Sequence, residues 1–402
     1  MNAPEKNTFS PGSVSQVFTT FLKLGCTSFG GPIAHLGYFR REIVEKKQWV
    51  TESQYTQLLA ISQFLPGPAS SQLGFSLGLL RAGWLGAIAA FVAFTLPSVI
   101  LLIAFASFLP SLGSDYGQAA IAGLKIVAFV AVADAVLGMS KKLCPDMTRA
   151  SIAVLATCVL LLAESAAAQL LVVAAGALAG AVLCRTATNE DSDPLAIRYS
   201  VKSGYILLAL FFALLLALPL FGSNQPALLS IMDAFYRAGA LVFGGGHVVL
   251  PLLQDSVVEP GWIDRETFLA GYGASQAIPG PMFSFSAYLG NLIPTGTHPL
   301  LGALLAVLFI FLPGFLLIAG VLPLWKALSS NAMAANAIAG INAAVVGLLA
   351  AALYDPIFTS AINNSIDLAI GITGFMILSI WKKSPLFVVA WCVLASISSS
   401  LL

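Results

Sequence analysis

Two cations stand in apolar sequence at matching places along this chain, each a few residues ahead of a run of glycines. Lys23 precedes Phe29-Gly30-Gly31-Pro32, and Arg237 precedes Phe243-Gly244-Gly245-Gly246. Further on come Gln63-Phe64-Leu65-Pro66-Gly67-Pro68 and Gln276-Ala277-Ile278-Pro279-Gly280-Pro281. The chemistry these residues suit is non-covalent binding of an anion. Proline removes an amide donor and clashes with the carbonyl four residues back, so Pro66-Gly67-Pro68 and Pro279-Gly280-Pro281 each end one helix and let another begin. A new helix start offers unpaired amides and about half a positive charge, a ready oxyanion site. Ser70 falls in the first turn after the first break. Ser28, Gly30 and Gly31, with Gly244 and Gly245 in the second copy, are further donors that carry no fixed charge. Gln63 and Gln276, three residues ahead of each first proline, are symmetric amide donors. Lys23 and Arg237 together would neutralise a divalent anion, because cations inside a membrane are costly and mark function.

Each of these features has a plainer reading. Pro-Gly-Pro can merely kink a helix, glycines can serve close helix packing, and long cationic side chains can reach the nearer interface. Two copies of each feature at matching positions favour the site. Lys125 is a further candidate anion contact, or a charge partner for Asp134. Asp134 and Asp233 are candidates for proton coupling, or else structural partners of nearby cations. His35 and His247 do not occupy equivalent positions, which weakens a shared relay.

The elements that would hold these residues form an internal repeat. Phe29 and Phe243, Pro66 and Pro279, and Pro97 and Pro313 are separated by 214, 213 and 216 residues. A repeat of that length in a very apolar chain marks a transporter built from two halves, with the site where the broken segments meet. In hydrocarbon, a broken helix is tolerated only where it is packed in protein or lines a wet cavity.

Hydrophobic residues make up 58% of the 402 positions and charged residues 9%. A soluble domain carries roughly 25% charge, so this surface is not built for water. Trp84 through Pro110 contains no charge at all, and Ala119–Ser140, Gly204–Gly222, Leu300–Leu324, Ala337–Tyr354 and Ile366–Trp381 are further apolar stretches. The fold expected is an all-α polytopic membrane protein of two inverted structural repeats with re-entrant or broken helices, about thirteen helical segments in all. The expected organisation is a tail at 1–13, a first repeat at 14–185, a polar linker at 186–203 and a second repeat at 204–402. The polar start of the chain has no apolar core of the kind a cleaved signal peptide needs.

Charge sets the expected orientation. The loop after the first glycine run carries Arg40, Arg41, Lys46 and Lys47, whereas its counterpart holds Asp255, Glu259, Asp264 and Glu266 with Arg265 alone. Equivalent loops of opposite bias belong on opposite faces, since cytoplasmic loops keep the excess of Lys and Arg. This places Val14–Lys47 and Tyr55–Leu80 as re-entrant hairpins from the cytoplasm, a short helical pair around Glu164, the N-terminus inside and the C-terminus outside. Arg265 is the exception. A net charge of +1 argues against nucleic acid, the five cysteines are scattered without metal-ligand spacing, and no phosphate-binding loop is present. Neither a cofactor nor a metal is expected, and no flavin, nicotinamide or haem fingerprint suggests an enzyme.

Several ordered motifs resemble the chromate ion transporter family in its long, two-repeat form. They are Phe29-Gly30-Gly31-Pro32 followed by Trp49, the two Pro-Gly-Pro segments, Phe243 through Pro251, Gly340 through Leu348, and Tyr354-Asp355-Pro356. The resemblance covers nearly all of the chain beyond the tail. It implies a secondary transporter of the bacterial inner membrane, driven by the membrane potential or a proton gradient, that moves chromate out of the cytoplasm and confers chromate resistance. Sulfate, a tetrahedral dianion of similar size, is the close analogue. A sulfate or other oxyanion carrier, or an anion channel of the same architecture, stays open on the residues alone, as does a homodimer. The expected partners are chromate, sulfate as its competitor, and the lipid bilayer.

Overall fold

The computed structural model describes residues 12–29, 31–111, 114–163, 166–185, 195, 197, 199–221, 225–243, 246–325 and 331–400. Those residues form sixteen α-helices of eight residues or longer, and no strand occurs among them. The first half comprises α1 (Val14–Thr27), α2 (Gly31–Phe39), α3 (Glu52–Phe64), α4 (Ala69–Phe108), α5 (Asp115–Leu143), α6 (Met147–Leu162) and α7 (Ala166–Leu183). A connecting helix, α8 (Val201–Phe221), leads into α9 (Leu228–Leu241), α10 (Val249–Val257), α11 (Arg265–Ser275), α12 (Phe285–Leu292), α13 (Pro299–Val321) and α14 (Ala332–Ala352). The chain ends in α15 (Ser365–Phe375) and α16 (Pro385–Ser399). The count exceeds thirteen because the hairpin arms are short helices that hydropathy alone merges.

Local chemistry sets these boundaries. The Ser13 hydroxyl caps α1 by accepting from the Gln16 amide. Thr51 and Gln54 form a reciprocal capping box at α3, and Asp264 caps the equivalent α11 through the Thr267 amide. Residues 65–68 carry the first break and Gln276 to Pro281 the second. α4 is two helices in one: Ala82 and Gly83 leave helical geometry, so the charge-free stretch starts afresh at Trp84.

The two halves differ by one residue between the glycine run and the following tryptophan. Phe29 to Trp49 is one step longer than Phe243 to Trp262. A π-helical turn, Arg40–Lys46, follows α2 and takes up that residue, whereas α10 stays α-helical. Beyond it the register is restored. Gln48 and Gly261, the residues before the two tryptophans, both take the left-handed conformation.

Within each half, α1 packs on α4 and α9 packs on α13. Beyond that the halves interlock. The α6–α7 pair of the first half packs on α14 of the second, and the α15–α16 pair of the second packs on α5 of the first. Small residues allow the close approach: Gly340 of α14 faces Gly176 and Gly180 of α7, and Gly123 of α5 faces Cys392 and Val393 of α16. Aromatic rings close the remaining gap between halves, with Phe75 stacked on Phe315 at 4.5 Å between centroids and Phe91 against both Phe311 and Phe315.

Five helical stretches are long and apolar enough to cross a membrane by length and composition: Ala69–Ser111, Asp115–Leu143, Val201–Phe221, Pro299–Leu324 and Ala332–Ala361. On α4, Leu85, Ile88, Val92, Leu96 and Ile100 recur every three or four residues and are all exposed. A continuous apolar stripe of that kind faces lipid rather than water. The chain is therefore an all-α polytopic membrane protein of two repeats. The helical pair expected around Glu164 is α6 and α7, although Glu164 itself lies outside the described residues. The same is true of most of the linker at 186–203, whose last residues begin α8.

Candidate functional site

The two Pro-Gly-Pro breaks meet the opposite halves of the molecule through one repeated hydrogen bond. The Gly67 amide donates to the Val242 carbonyl at 2.7 Å, and the Gly280 amide donates to the Ser28 carbonyl at 3.0 Å. Val242 ends α9 and Ser28 ends α1. Each break thus caps the first helix of the other repeat. Both glycines have positive φ, +121° at Gly67 and +103° at Gly280, which is why neither position tolerates a side chain.

Each break also rests on the residue after the helix proline of the opposite half. Gly67 lies against Gly314, which follows Pro313, and Gly280 lies against Ser98, which follows Pro97. The Gln72 side-chain amide joins the first of these seams, donating to the carbonyls of Pro66 at 2.9 Å and Gly314 at 3.0 Å. The hydroxyls of Ser98 and Ser284 join the second, 2.7 Å apart. Pro68 and Pro281 stand directly before α4 and the short helical turn Met282–Ser284 that leads into α12, while Pro279 lies buried in the second break.

Around these seams sit buried polar atoms with no hydrogen-bond partner among the described residues: Oγ of Ser28, Ser71 and Ser286, Oγ1 of Thr95, Oε1 of Gln72 and Nε2 of His35. Ser70 is buried at the start of α4, with its Oγ 3.5 Å from Nδ1 of His35, and the His35 ring lies edge-on to Phe94 at 5.4 Å. A buried hydroxyl without a partner costs about 1–3 kcal/mol, so a group of them beside the two breaks has hydrogen-bonding capacity to spare. The hydroxyls can donate to an oxyanion there without a fixed charge.

The structure distributes the expected site residues unevenly. Ser28, Pro66, Gly67, Pro68, Ser70, Pro279, Gly280 and Pro281 come together at the seams. Gly31, three residues after Ser28, has positive φ, while Gly30, Gly244 and Gly245 lie outside the described residues. Gln63 is exposed and accepts from the Lys142 ammonium at 3.5 Å, and the Gln276 amide donates within its own turn to the Tyr272 carbonyl. These two glutamines are therefore not a facing pair of donors in this conformation.

The symmetric cations are already paired. Lys23 is 3.1 Å from Glu42, which also meets Lys46 at 3.4 Å, and Arg237 is 2.8 Å from Asp233 on its own helix. Both cationic side chains are about half exposed, so they flank the seams rather than sit inside them. Lys125 is buried and pairs with Glu266 of α11 at 3.6 Å instead of Asp134. Asp134 accepts from the Ser379 hydroxyl. Residues that the repeat motifs did not single out as ligands are Gln72, Thr95, Ser98 and Ser286. The available signal was a cluster of hydroxyls and one amide just beyond each proline, Ser70-Ser71-Gln72 and Ser98 among them.

A family model described as Chromate transporter matches residues 15–181 and again 229–397. The chain is 30% identical over 348 residues to a protein of Synechococcus elongatus called "Probable chromate transport protein", covering 85% of this chain and 84% of that one. It is 27% identical to the "Chromate transport protein" of Pseudomonas aeruginosa, covering 93% and 89%, and 28% identical to that of Cupriavidus metallidurans, covering 97% and 96%. No solved structure matches.

Proposed function

The chain belongs to the chromate transporter family, and we propose that it carries chromate out of the cytoplasm as a secondary transporter, holding the dianion between the two Pro-Gly-Pro breaks. The observation that carries this reading is the repeated bond of Gly67 to Val242 and Gly280 to Ser28, with buried hydroxyls nearby that have no partner among the described residues. A site between halves that are locked to each other at two equivalent points can be offered to either face by rocking one half against the other. Lys23 and Arg237 flank it as exchangeable cations, each held by a carboxylate that an arriving dianion can replace.

The orientation follows from charge. The proposed setting is the bacterial inner membrane, with Arg40, Arg41, Lys46 and Lys47 on the cytoplasmic side, the N-terminus inside and the C-terminus outside. Arg265, the exception to that bias, lies 3.9 Å from Glu259 and 3.6 Å from Asp355, so its charge is balanced where it stands.

Cells expressing the protein and loaded with labelled chromate should lose the label faster than cells without it. Excess internal sulfate should slow that loss if the site reads only a tetrahedral dianion. Equal loss in both strains would overturn the transport reading, and loss of sulfate alone would keep the site and replace the substrate.

A further inference from the structure

Lys23 and Arg237 occupy equivalent positions, and a carboxylate lies on the segment that follows each glycine run, Glu42 in the π-helical turn and Asp255 on α10. In the first half the cation and the carboxylate meet, Lys23 to Glu42 at 3.1 Å. In the second half they do not. Arg237 turns to Asp233, and among the described residues Asp255 pairs with no Lys, Arg or His; it accepts only from the side-chain amide of Gln169 on α7. Arg237 and Asp255 nevertheless line one small cavity of about 90 Å³ together.

On its other side Asp255 borders a second, more polar cavity of about 290 Å³ between α6, α7, α10 and α14. Among the described residues, the charged groups facing it are Glu259 after α10, Arg265 at the start of α11 and Asp355 beyond α14, while the α6 side contributes Leu160 and Ala163. Gln254 also lines this cavity. It is 7% exposed, and its Oε1 has no hydrogen-bond partner among the described residues. The Asp255–Gln169 pair thus stands between a cavity reaching the acidic loops and one reaching Arg237. The acids are not gathered for a metal: no group of three or more His, Cys, Asp or Glu among the described residues could hold one.

We propose that Asp255, with Gln254 and Gln169 beside it, is a proton-binding site that couples the transport cycle to a proton gradient, taking its proton from the face of the acidic loops and releasing it when Arg237 moves from Asp233 to Asp255. In the bound state the proton neutralises the half-buried carboxyl, which keeps its bond from Gln169. In the released state the bare carboxylate takes Arg237, reproducing the pair that Lys23 and Glu42 already form. Loss of the Asp233 contact frees Arg237 only in step with deprotonation, which is what coupling requires. Burial, and the Glu259 carboxylate nearby, raise Asp255 to about 6, within reach of physiological pH. Asp255 lies outside the five spanning stretches. This inference rests on the transport reading for its purpose, though not for its detection.

The test uses full-length protein. Infrared titration of the detergent-purified chain should show a protonated-carboxyl band that disappears as pH rises through about 6, absent in Asp255→Asn and present in Asp255→Glu. In proteoliposomes, Asp255→Asn should keep chromate exchange at equal pH within about twofold yet lose at least about tenfold of uptake driven by a pH gradient, a loss of about 1.4 kcal/mol in driving effect. An unchanged infrared band in Asp255→Asn, or full gradient-driven uptake by that variant, overturns the proposal. A band that behaves as expected in a protein that moves no chromate supports the proton site and sinks the transport reading instead.

Discussion

Gly67 donates its amide hydrogen to the carbonyl oxygen of Val242, 2.7 Å away in the opposite half of the molecule. The bond ties a helix break to the end of another helix, and Gly280 with Ser28 repeats it from the other side. Backbone groups that a broken helix would otherwise leave bare in hydrocarbon are satisfied across the repeat interface. The break is thus both the joint between halves and the source of the helix starts that face the candidate site.

Adding a methyl at either joint should stop transport. A Cβ at Gly67 would lie 2.9 Å from the Gln72 amide nitrogen and 3.0 Å from the Gly314 Cα; one at Gly280 would lie 3.0 Å from the Ser98 hydroxyl. Positive φ adds roughly 1–3 kcal/mol of strain for a residue with a side chain. Gly67→Ala and Gly280→Ala should each lower chromate flux at least about tenfold, or about 1.4 kcal/mol, with all charges kept. Flux normalised to protein abundance in membrane vesicles is the measurement.

The interlock of the halves should be equally sensitive. A Cβ at Gly340 would meet the Gly176 carbonyl oxygen at 2.0 Å and the Gly180 Cα at 2.6 Å, both backbone groups that cannot step aside. Gly340→Ala should reduce folded protein in the membrane and lower the melting temperature in detergent. Gly37→Ala is the control: nothing lies within 4 Å of the added atom, and relief of glycine entropy in a helix is worth about 0.5–1 kcal/mol in its favour.

The flanking cations should matter for transport more than for stability. Lys23 and Arg237 are about half exposed, whereas Glu42 and Asp233 are nearly buried, and a buried carboxylate left without its cation is destabilising. Lys23→Ala leaves Glu42 with Lys46, and Arg237→Ala is combined with Asp233→Asn so that no buried charge is left alone; both variants should keep their abundance while impairing chromate flux. Full flux in both variants would remove these cations from the account and leave the seams standing alone.

The hydroxyls of Ser98 and Ser284 link the halves at the second seam. Ser98→Ala should destabilise the protein by about 1 kcal/mol, and the double change with Ser284→Ala should cost less than the two single changes combined, because no buried hydroxyl is then left alone. Thermal unfolding of the three variants in one detergent gives the coupling directly.

The raised affinity of Asp255 for a proton has a consequence for stability. The folded chain binds that proton more tightly than the unfolded chain, whose carboxyl keeps its ordinary 3.8. Stability from this group is therefore present below about 4 and lost as pH rises through about 6. Asp255→Asn should flatten that part of the stability–pH curve and make the protein comparatively more stable at neutral pH.

The repeat, the breaks and the lipid-facing helices were legible in the sequence because each rests on local chemistry: proline geometry, glycine runs and charge-free length. Pro66-Gly67-Pro68 announces a break whatever surrounds it. The partners of that break were not legible, since Val242 and Gly314 reach it only through the packing of the two halves. The same holds for the exchange of α6–α7 and α15–α16, which depends on single small residues such as Gly123 and Gly340 meeting distant backbone. Lys23 was visible as an isolated cation, yet its pairing with Glu42 depends on how α1 and the π-helical turn after α2 pack together. The extra residue between Phe29 and Trp49 could be counted in the sequence, but where the register slips shows only in the π-helical turn. Lys125 illustrates the converse error: proximity in sequence suggested Asp134, but both lie on one helix nine positions apart, and the neighbouring α11 supplies Glu266 instead.

The central claim is an oxyanion site held between the two breaks, and chromate uptake into inverted membrane vesicles tests it most directly. Vesicles with the wild-type chain should accumulate labelled chromate when energised and release it on addition of an uncoupler, while Gly67→Ala vesicles with equal protein should accumulate almost none. Equal accumulation in wild-type and Gly67→Ala vesicles would contradict the placement of the site, and no accumulation by the wild type would contradict transport of chromate itself.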